Sequence, residues 1–253
     1  MKVLLLYLKQ RFKPVIFAGL TILLILFSVS KPLEDTQIFV FILPVFILLG
    51  LLRLYDDIMN YQTDAGKPNR IYTHYHSRKL LSIQLAAFTF IFLGVLAFIT
   101  PILAALLMLF LLLNDILYRL FFNIGNWRHY LPLLKYPVIV VLLYLLTATP
   151  FSQWTAGCLM VSIFCAFLVF EILNDPTFPI RSKPLILLGN ISLTALIIGF
   201  NNPGSWWLYL IILIMGNLLI RWKHKVTPYL FFAFLLLAKI ALETAQGILV
   251  LNL

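Results

Sequence analysis

RLYDDIMNYQTDAGKPNRIYTHYHSRK, residues 53–79, is the longest polar interval in an otherwise almost continuously apolar chain. It carries Asp56, Asp57, Asn60 and Asp64, followed by the cations Lys67, Arg70, Arg78 and Lys79. Spacings of three, four and seven residues return to one side of an α-helix. Asp57, Asn60 and Asp64 are therefore expected to point at a common spot, with Asp56 one turn from Asn60. Oxygen ligands beside cations are what magnesium and a diphosphate require.

The surroundings decide what kind of chain carries this interval. Of its 253 residues 62% are hydrophobic and only 11% charged, and the mean hydropathy is +1.02. Such a composition excludes a soluble domain. Apolar runs repeatedly reach about 20 residues, the length that crosses a bilayer. They predict nine helices, at 14–30, 37–57, 80–100, 102–122, 132–149, 152–174, 185–201, 204–222 and 229–250. The expected fold class is an all-α membrane protein, a single integral membrane domain over residues 1–253 with the helices around a central cavity. Pro44 is expected to kink the second helix, and most other prolines fall at junctions. The opening MKVLLLYLKQRFK reads as an interfacial amphipathic turn leading into the first span.

Charge placement gives the topology. Lys2, Lys9, Arg11 and Lys13 precede the first span, and Lys67, Arg70, Arg78 and Lys79 follow the second. Arg119, Arg128 and Lys135, then Arg181 and Lys183, then Arg221, Lys223 and Lys225 mark the later even-numbered exits. The intervening turns carry almost no Lys or Arg; only Lys31 falls on that side, beside Glu34 and Asp35. By the positive-inside rule the N-terminus is cytoplasmic and the C-terminus lies across the cell membrane. The net charge of +10 is thereby explained by orientation in a lipid bilayer, with no nucleic-acid partner implied.

A second acidic face leaves the sixth helix, where Glu171, Asn174 and Asp175 stand at i, i+3 and i+4. Two oxygen-rich faces at one membrane level are expected to converge on one cavity, because acids are held near helix ends unless a role keeps them deeper. The other polar residues read as structural. Lys239 and Glu243 form an i, i+4 pair, Asn190 and Asn217 are expected to bond between helices, and Cys158 and Cys165 are buried thiols. Asn114 and Asp115 are placed at the border of the cavity, and His74 and His76 at the headgroup level. The histidines form no closed metal site, and no P-loop, Rossmann or nucleophile-elbow pattern occurs.

The order of spans and clusters resembles the UbiA superfamily of intramembrane prenyltransferases, with nine helices and acid-rich motifs after helices 2 and 6. Asp56-Asp57-Ile-Met-Asn60-Tyr-Gln-Thr-Asp64, then Lys67-Pro68-Asn69-Arg70, is similar to the family's first motif and the basic segment behind it. Arg53 fits a bacterial branch of that pattern. Asn60 stands where the family has Asp, and the second motif is reduced to Glu171, Asn174 and Asp175 before the short connection PTFPIRSKP.

The resemblance implies transfer of a prenyl group from an isoprenoid diphosphate to a lipophilic, possibly aromatic, acceptor. Magnesium, the implied cofactor, is assigned to Asp56, Asp57, Asn60, Asp64, Glu171 and Asp175. Asp57, Asp64, Lys67 and Arg70 are the implied catalytic set. Arg53, Asn60, Arg128, Lys135, Glu171, Asn174, Arg181 and Lys183 are the implied substrate contacts. A terpene cyclase of the same superfamily, and a non-catalytic isoprenoid binder or scaffold, are the alternatives. A small transporter is disfavoured, because the acids gather at one membrane face and no repeat is visible.

Overall fold

The computed structural model describes residues 2–29, 35–62, 64–65, 67, 70–121, 127–147, 153–174, 178, 184–200, 205–222 and 227–246. It is all-helical, with no strand among the described residues. Each of the nine expected helices has a counterpart: α2 (Pro14–Ser28), α3 (Asp35–Met59), α4 (Tyr75–Ile99), α5 (Pro101–Phe121), α7 (Lys135–Thr147), α8 (Gln153–Asn174), α9 (Leu185–Gly199), α10 (Trp206–Arg221) and α11 (Thr227–Ala245). Two further helices are α1 (Lys2–Arg11) and the four-residue α6 (Trp127–Tyr130).

By length and composition α4, α5, α8 and α11 each suffice to cross a membrane, and the bent pair α1–α2 makes a fifth candidate. This is consistent with an all-α membrane protein. Many large apolar side chains face outward, including Phe98 at 95%, Ile102 at 77% and Phe90 at 75% exposure. Such a surface suits lipid and not water.

Local chemistry sets the helix breaks. Pro14 has no N–H and restricts the residue before it, so α1 and α2 part there at 71°. The opening segment is therefore a ten-residue helix and not a single turn. Pro101 takes the first position of α5, where its missing donor costs nothing. Pro44 lies inside α3, which continues through it.

The chain forms two compact units, Met1–Ile22 with Asp35–Pro132, and Leu23–Glu34 with Leu133–Leu253. In the first, α1 lies against α3, the 3₁₀ turn Ile71–Thr73 and α4. Their shared core is Tyr7, Leu54, Ile58, Tyr72 and Leu81, flanked by Val3, Leu4 and Leu8. Phe12 continues this packing, stacking on Phe17 at 4.2 Å and meeting Phe46 edge-on at 5.3 Å.

The second unit is packed through small and polar side chains, the usual currency between helices in lipid. A Cβ on Gly189 would lie 2.0 Å from Ile220 Cδ1, and one on Gly216 would lie 2.4 Å from Leu193 Cδ1, so α9 and α10 approach closely. Asn217 donates to Asn190 Oδ1 at 2.7 Å, the interhelical bond anticipated for that pair. Ser192 donates to the Ser162 carbonyl at 2.8 Å between α9 and α8. Both cysteines are free, Cys165 buried and Cys158 partly so.

Candidate functional site

Asp57 is the hub of the first unit. Its side chain is 5% exposed and meets three partners. Arg11 grips it in two-point fashion, Nε to Oδ2 at 2.9 Å and Nη2 to Oδ1 at 2.8 Å. Tyr7 donates its hydroxyl to Oδ2 at 3.0 Å, and Arg53, one turn back on α3, approaches Oδ1 at 3.3 Å. Paired planar forks of this kind are the strongest protein ion pairs. Removing one partner from a buried pair costs about 3–5 kcal/mol.

Tyr7 and Arg11 were not among the expected site residues. Arg11 reads in sequence as an orienting charge, and nothing local says that α1 folds back. The available signal was spacing: Val3, Leu4, Tyr7, Leu8 and Arg11 share one helical face, which marks α1 as a packing helix. Leu5 and Leu6, on the other side, are exposed.

The other motif residues are held separately. Asp56, 5% exposed, accepts from the Tyr118 hydroxyl of α5 at 2.8 Å. Asn60 donates its amide to the Asp56 carbonyl at 2.9 Å, within its own helix end. Asp64 accepts from Lys67 Nζ at 2.6 Å and from the Tyr72 hydroxyl. Burial acts to raise the Asp64 carboxyl, but the Lys67 and Tyr72 bonds, with the charges of Lys67 and Arg70, hold it below the ordinary carboxylate range. Arg70 precedes the 3₁₀ turn, and its Nε is buried with no hydrogen-bond partner among the described residues. Arg78 lies 3.4 Å over the Tyr61 ring. His74 and His76 are exposed.

In this arrangement the first-motif residues do not fit a magnesium ion. Both Asp57 oxygens are bound by guanidinium, Asp56 accepts from the Tyr118 phenol, and Asp64 is held by an ammonium and a phenol. Among the described residues no three His, Cys, Asp or Glu side chains gather for a metal.

Beside this cluster, α3, α4 and α5 enclose a groove of about 650 Å³. Its walls are apolar, from Leu48, Leu52, Leu93, Ala104 and Met108 among others. Tyr55 and Asp115 close one end, joined by a 3.1 Å hydrogen bond. Asp115 borders this groove while Asn114 is buried outside its lining, and Arg119 bonds Asp115 at 2.7 Å. Tyr55 precedes Asp56 directly, so the polar end of the groove lies on the same helical turn as the acidic motif.

The remaining sequence candidates belong to the second unit. Glu171 and Asn174 stand at the end of α8, where Asn174 is exposed and donates to the Phe170 carbonyl at 3.1 Å. Lys135 is buried at the start of α7, with Nζ 5.3 Å from the Tyr136 ring centre. Tyr136 stacks on Phe167, which with Phe170, Tyr229 and Phe232 forms an aromatic cluster from α7, α8 and α11. Asp175, Arg181 and Lys183 lie outside the described residues, as does the side chain of Arg128.

Lys239 and Glu243 make the expected pair at 2.8 Å, both under 3% exposed. Lys239 also donates to the Leu26 and Val29 carbonyls at 2.9 and 2.7 Å, so it caps the end of α2. Neither a protein-family model, nor a curated protein, nor a solved structure matches this chain.

Proposed function

We propose that this protein is a membrane-embedded transferase that moves a prenyl group from an isoprenoid diphosphate to a lipophilic acceptor. The observation that carries the reading is that one helix, α3, supplies both a wall of the apolar groove and the Arg53–Asp57 ion pair beyond Tyr55. That is the shape of an amphiphile with an apolar tail and a phosphorylated head. The UbiA-like order of helices and motifs supports it independently. On this reading each of the nine helices crosses the bilayer, with the Arg53–Lys79 stretch on the cytoplasmic side.

The chain's own residues then divide the work. Leu48, Leu52, Leu93 and Met108 hold the prenyl tail away from water. Arg53, Lys67 and Arg70 meet the charge that builds on the diphosphate as the allylic C–O bond breaks, its electron pair leaving with the oxygen. The acceptor attacks the allylic carbon and loses a proton to solvent. Tyr55, at the groove's polar end, offers an aromatic face to the developing cation.

The test is diphosphate release by the full chain in nanodiscs, across prenyl diphosphates of increasing length and a set of lipophilic phenols. Release with a prenylated product is expected. Arg70→Gln should lower it by at least about tenfold, the effect of one lost charge-assisted bond. Release without acceptor, yielding a cyclic hydrocarbon, would assign the chain to cyclisation.

A second reading, a non-catalytic isoprenoid binder, is favoured by one observation. Asp57 and Asp64 are both already neutralised by protein cations. Binding of the prenyl diphosphates with no release across the panel would establish it.

A further inference from the structure

The expected metal-binding motif and its observed wiring disagree, and the disagreement has chemical content. Asp57 is not a carboxylate waiting for a cation. Arg11 binds both of its oxygens, Tyr7 adds a third bond, and Arg53 stands beside Oδ1. The clamp is also anchored by packing. Tyr7 and Tyr72 are almost fully buried, their rings meet edge-on at 6.3 Å, and α1 shares an apolar core with α3 and α4. Opening Asp57 to a divalent ion would mean stripping α1 from that core.

The cations, in contrast, keep capacity to spare. The two Asp57 bonds use one edge of an Arg11 guanidinium that has five N–H donors. Arg53 is 37% exposed and Lys67 54%. Arg70 Nε is a buried donor with no partner among the described residues, and its charge acts on Asp64. Arg11 and Arg53 face Asp57, and Lys67 and Arg70 act on Asp64, two more positive charges than negative ones. A guanidinium fork matches a phosphate's oxygens in geometry as well as charge.

We infer that this motif binds the diphosphate head through arginine and lysine without a divalent metal, and that Asp57 is a positioning residue holding Arg11 and Arg53 in place. The inference rests on the prenyl-diphosphate reading above and specifies how that site takes its ligand. Arg53, Lys67 and Arg70 contact the phosphate oxygens. Asp57 touches the cations and not the ligand.

The experiment is calorimetric titration of the full chain, in nanodiscs of zwitterionic lipid, with a prenyl thiolodiphosphate and with inorganic diphosphate. Each is run in EDTA and in magnesium. Affinity for the prenyl compound in EDTA is expected to lie within about threefold of that in magnesium. Arg53→Gln and Arg70→Gln should each weaken binding in EDTA by about tenfold.

Asp57→Asn separates positioning from simple charge. Removing an acid near an anion site should tighten binding if charge alone matters. A positioning role predicts weaker binding in EDTA, with recovery in Asp57→Glu. A thermal scan of each variant confirms folding before titration.

Binding seen only with magnesium would overturn the inference and leave the proposed function standing. No prenyl-diphosphate binding in either buffer would overturn both. Displacement of the prenyl compound by an equal concentration of phosphatidic acid would also overturn the inference, reassigning the cradle to a lipid phosphate.

Discussion

Each unit holds one buried charge cluster, and the two are built to opposite ends. Around Asp57 the cations outnumber the acids, the group sits at a helix end, and Arg53 is partly open to solvent. Around Lys239 one cation meets one acid and two backbone carbonyls, with nothing exposed. The Lys239 cluster is fully buried and its charges match one to one, which suits a structural pair. The Asp57 cluster carries more cation than acid, the imbalance on which the proposed diphosphate site rests. Burial of charge alone does not distinguish a site from a staple; the balance of donors and acceptors does.

The helices around the two clusters differ in the same sense. In the most apolar window of α4 only 11% of residues are buried, against 50% in α8. The second unit spends its surface on internal contact, through Gly189, Gly216 and the Ser162–Ser192 bond. The first leaves α4 largely uncovered and keeps a groove open between α3, α4 and α5.

The sharpest way to break this comparison is Lys239→Met. It strands Glu243 and uncaps α2, and should cost about 3–5 kcal/mol, read from unfolding in detergent. Lys239→Met with Glu243→Leu should recover most of that loss, since a buried pair replaced by apolar groups is often neutral. An unchanged single mutant would end the claim that this pair is a staple.

Tyr7→Phe tests the other cluster more gently. It removes one of the bonds to Asp57 and keeps the ring in the core, so about 1 kcal/mol is expected from the same unfolding measurement. A loss several times larger would mean that α1 depends on this hydroxyl for its seat.

Acid should act on Asp64 in a defined direction. Its folded pKa lies below the ordinary value, so its contribution is complete above about pH 4 and fades as pH falls through the lowered value. Asp64→Asn should remove that part of the acid sensitivity, seen as a flatter melting temperature between about pH 6 and pH 3. The smallest effect belongs to Arg119→Gln. Arg119 is 72% exposed in its pair with Asp115, and no change in melting temperature is expected.

The sequence was most informative where the physics is local. Long apolar runs located nine helices to within a few residues, and prolines located several breaks. One five-residue boundary difference is at α4, which starts at Tyr75 and not near residue 80. Its first turn carries Ser77, Arg78 and Lys79, polar residues that extend the helix beyond its apolar run, and Arg78 is held over the Tyr61 ring. The Asn190–Asn217 and Lys239–Glu243 pairs were legible because polar side chains in apolar helices must find partners nearby.

What the sequence by itself determined is therefore an all-helical, lipid-suited chain with one dominant polar interval at residues 53–79. Which groups meet inside that interval was decided only by tertiary structure. Helical spacing put Asp57, Asn60 and Asp64 on one face, but α3 ends at Met59, so the periodicity does not carry through to Asp64. The partners that decide the chemistry, Tyr7 and Arg11, lie some 50 residues away in sequence and arrive because Pro14 turns α1 back onto α3. Spacing predicts neighbours along one helix; it says nothing about which distant cation will reach a carboxylate first.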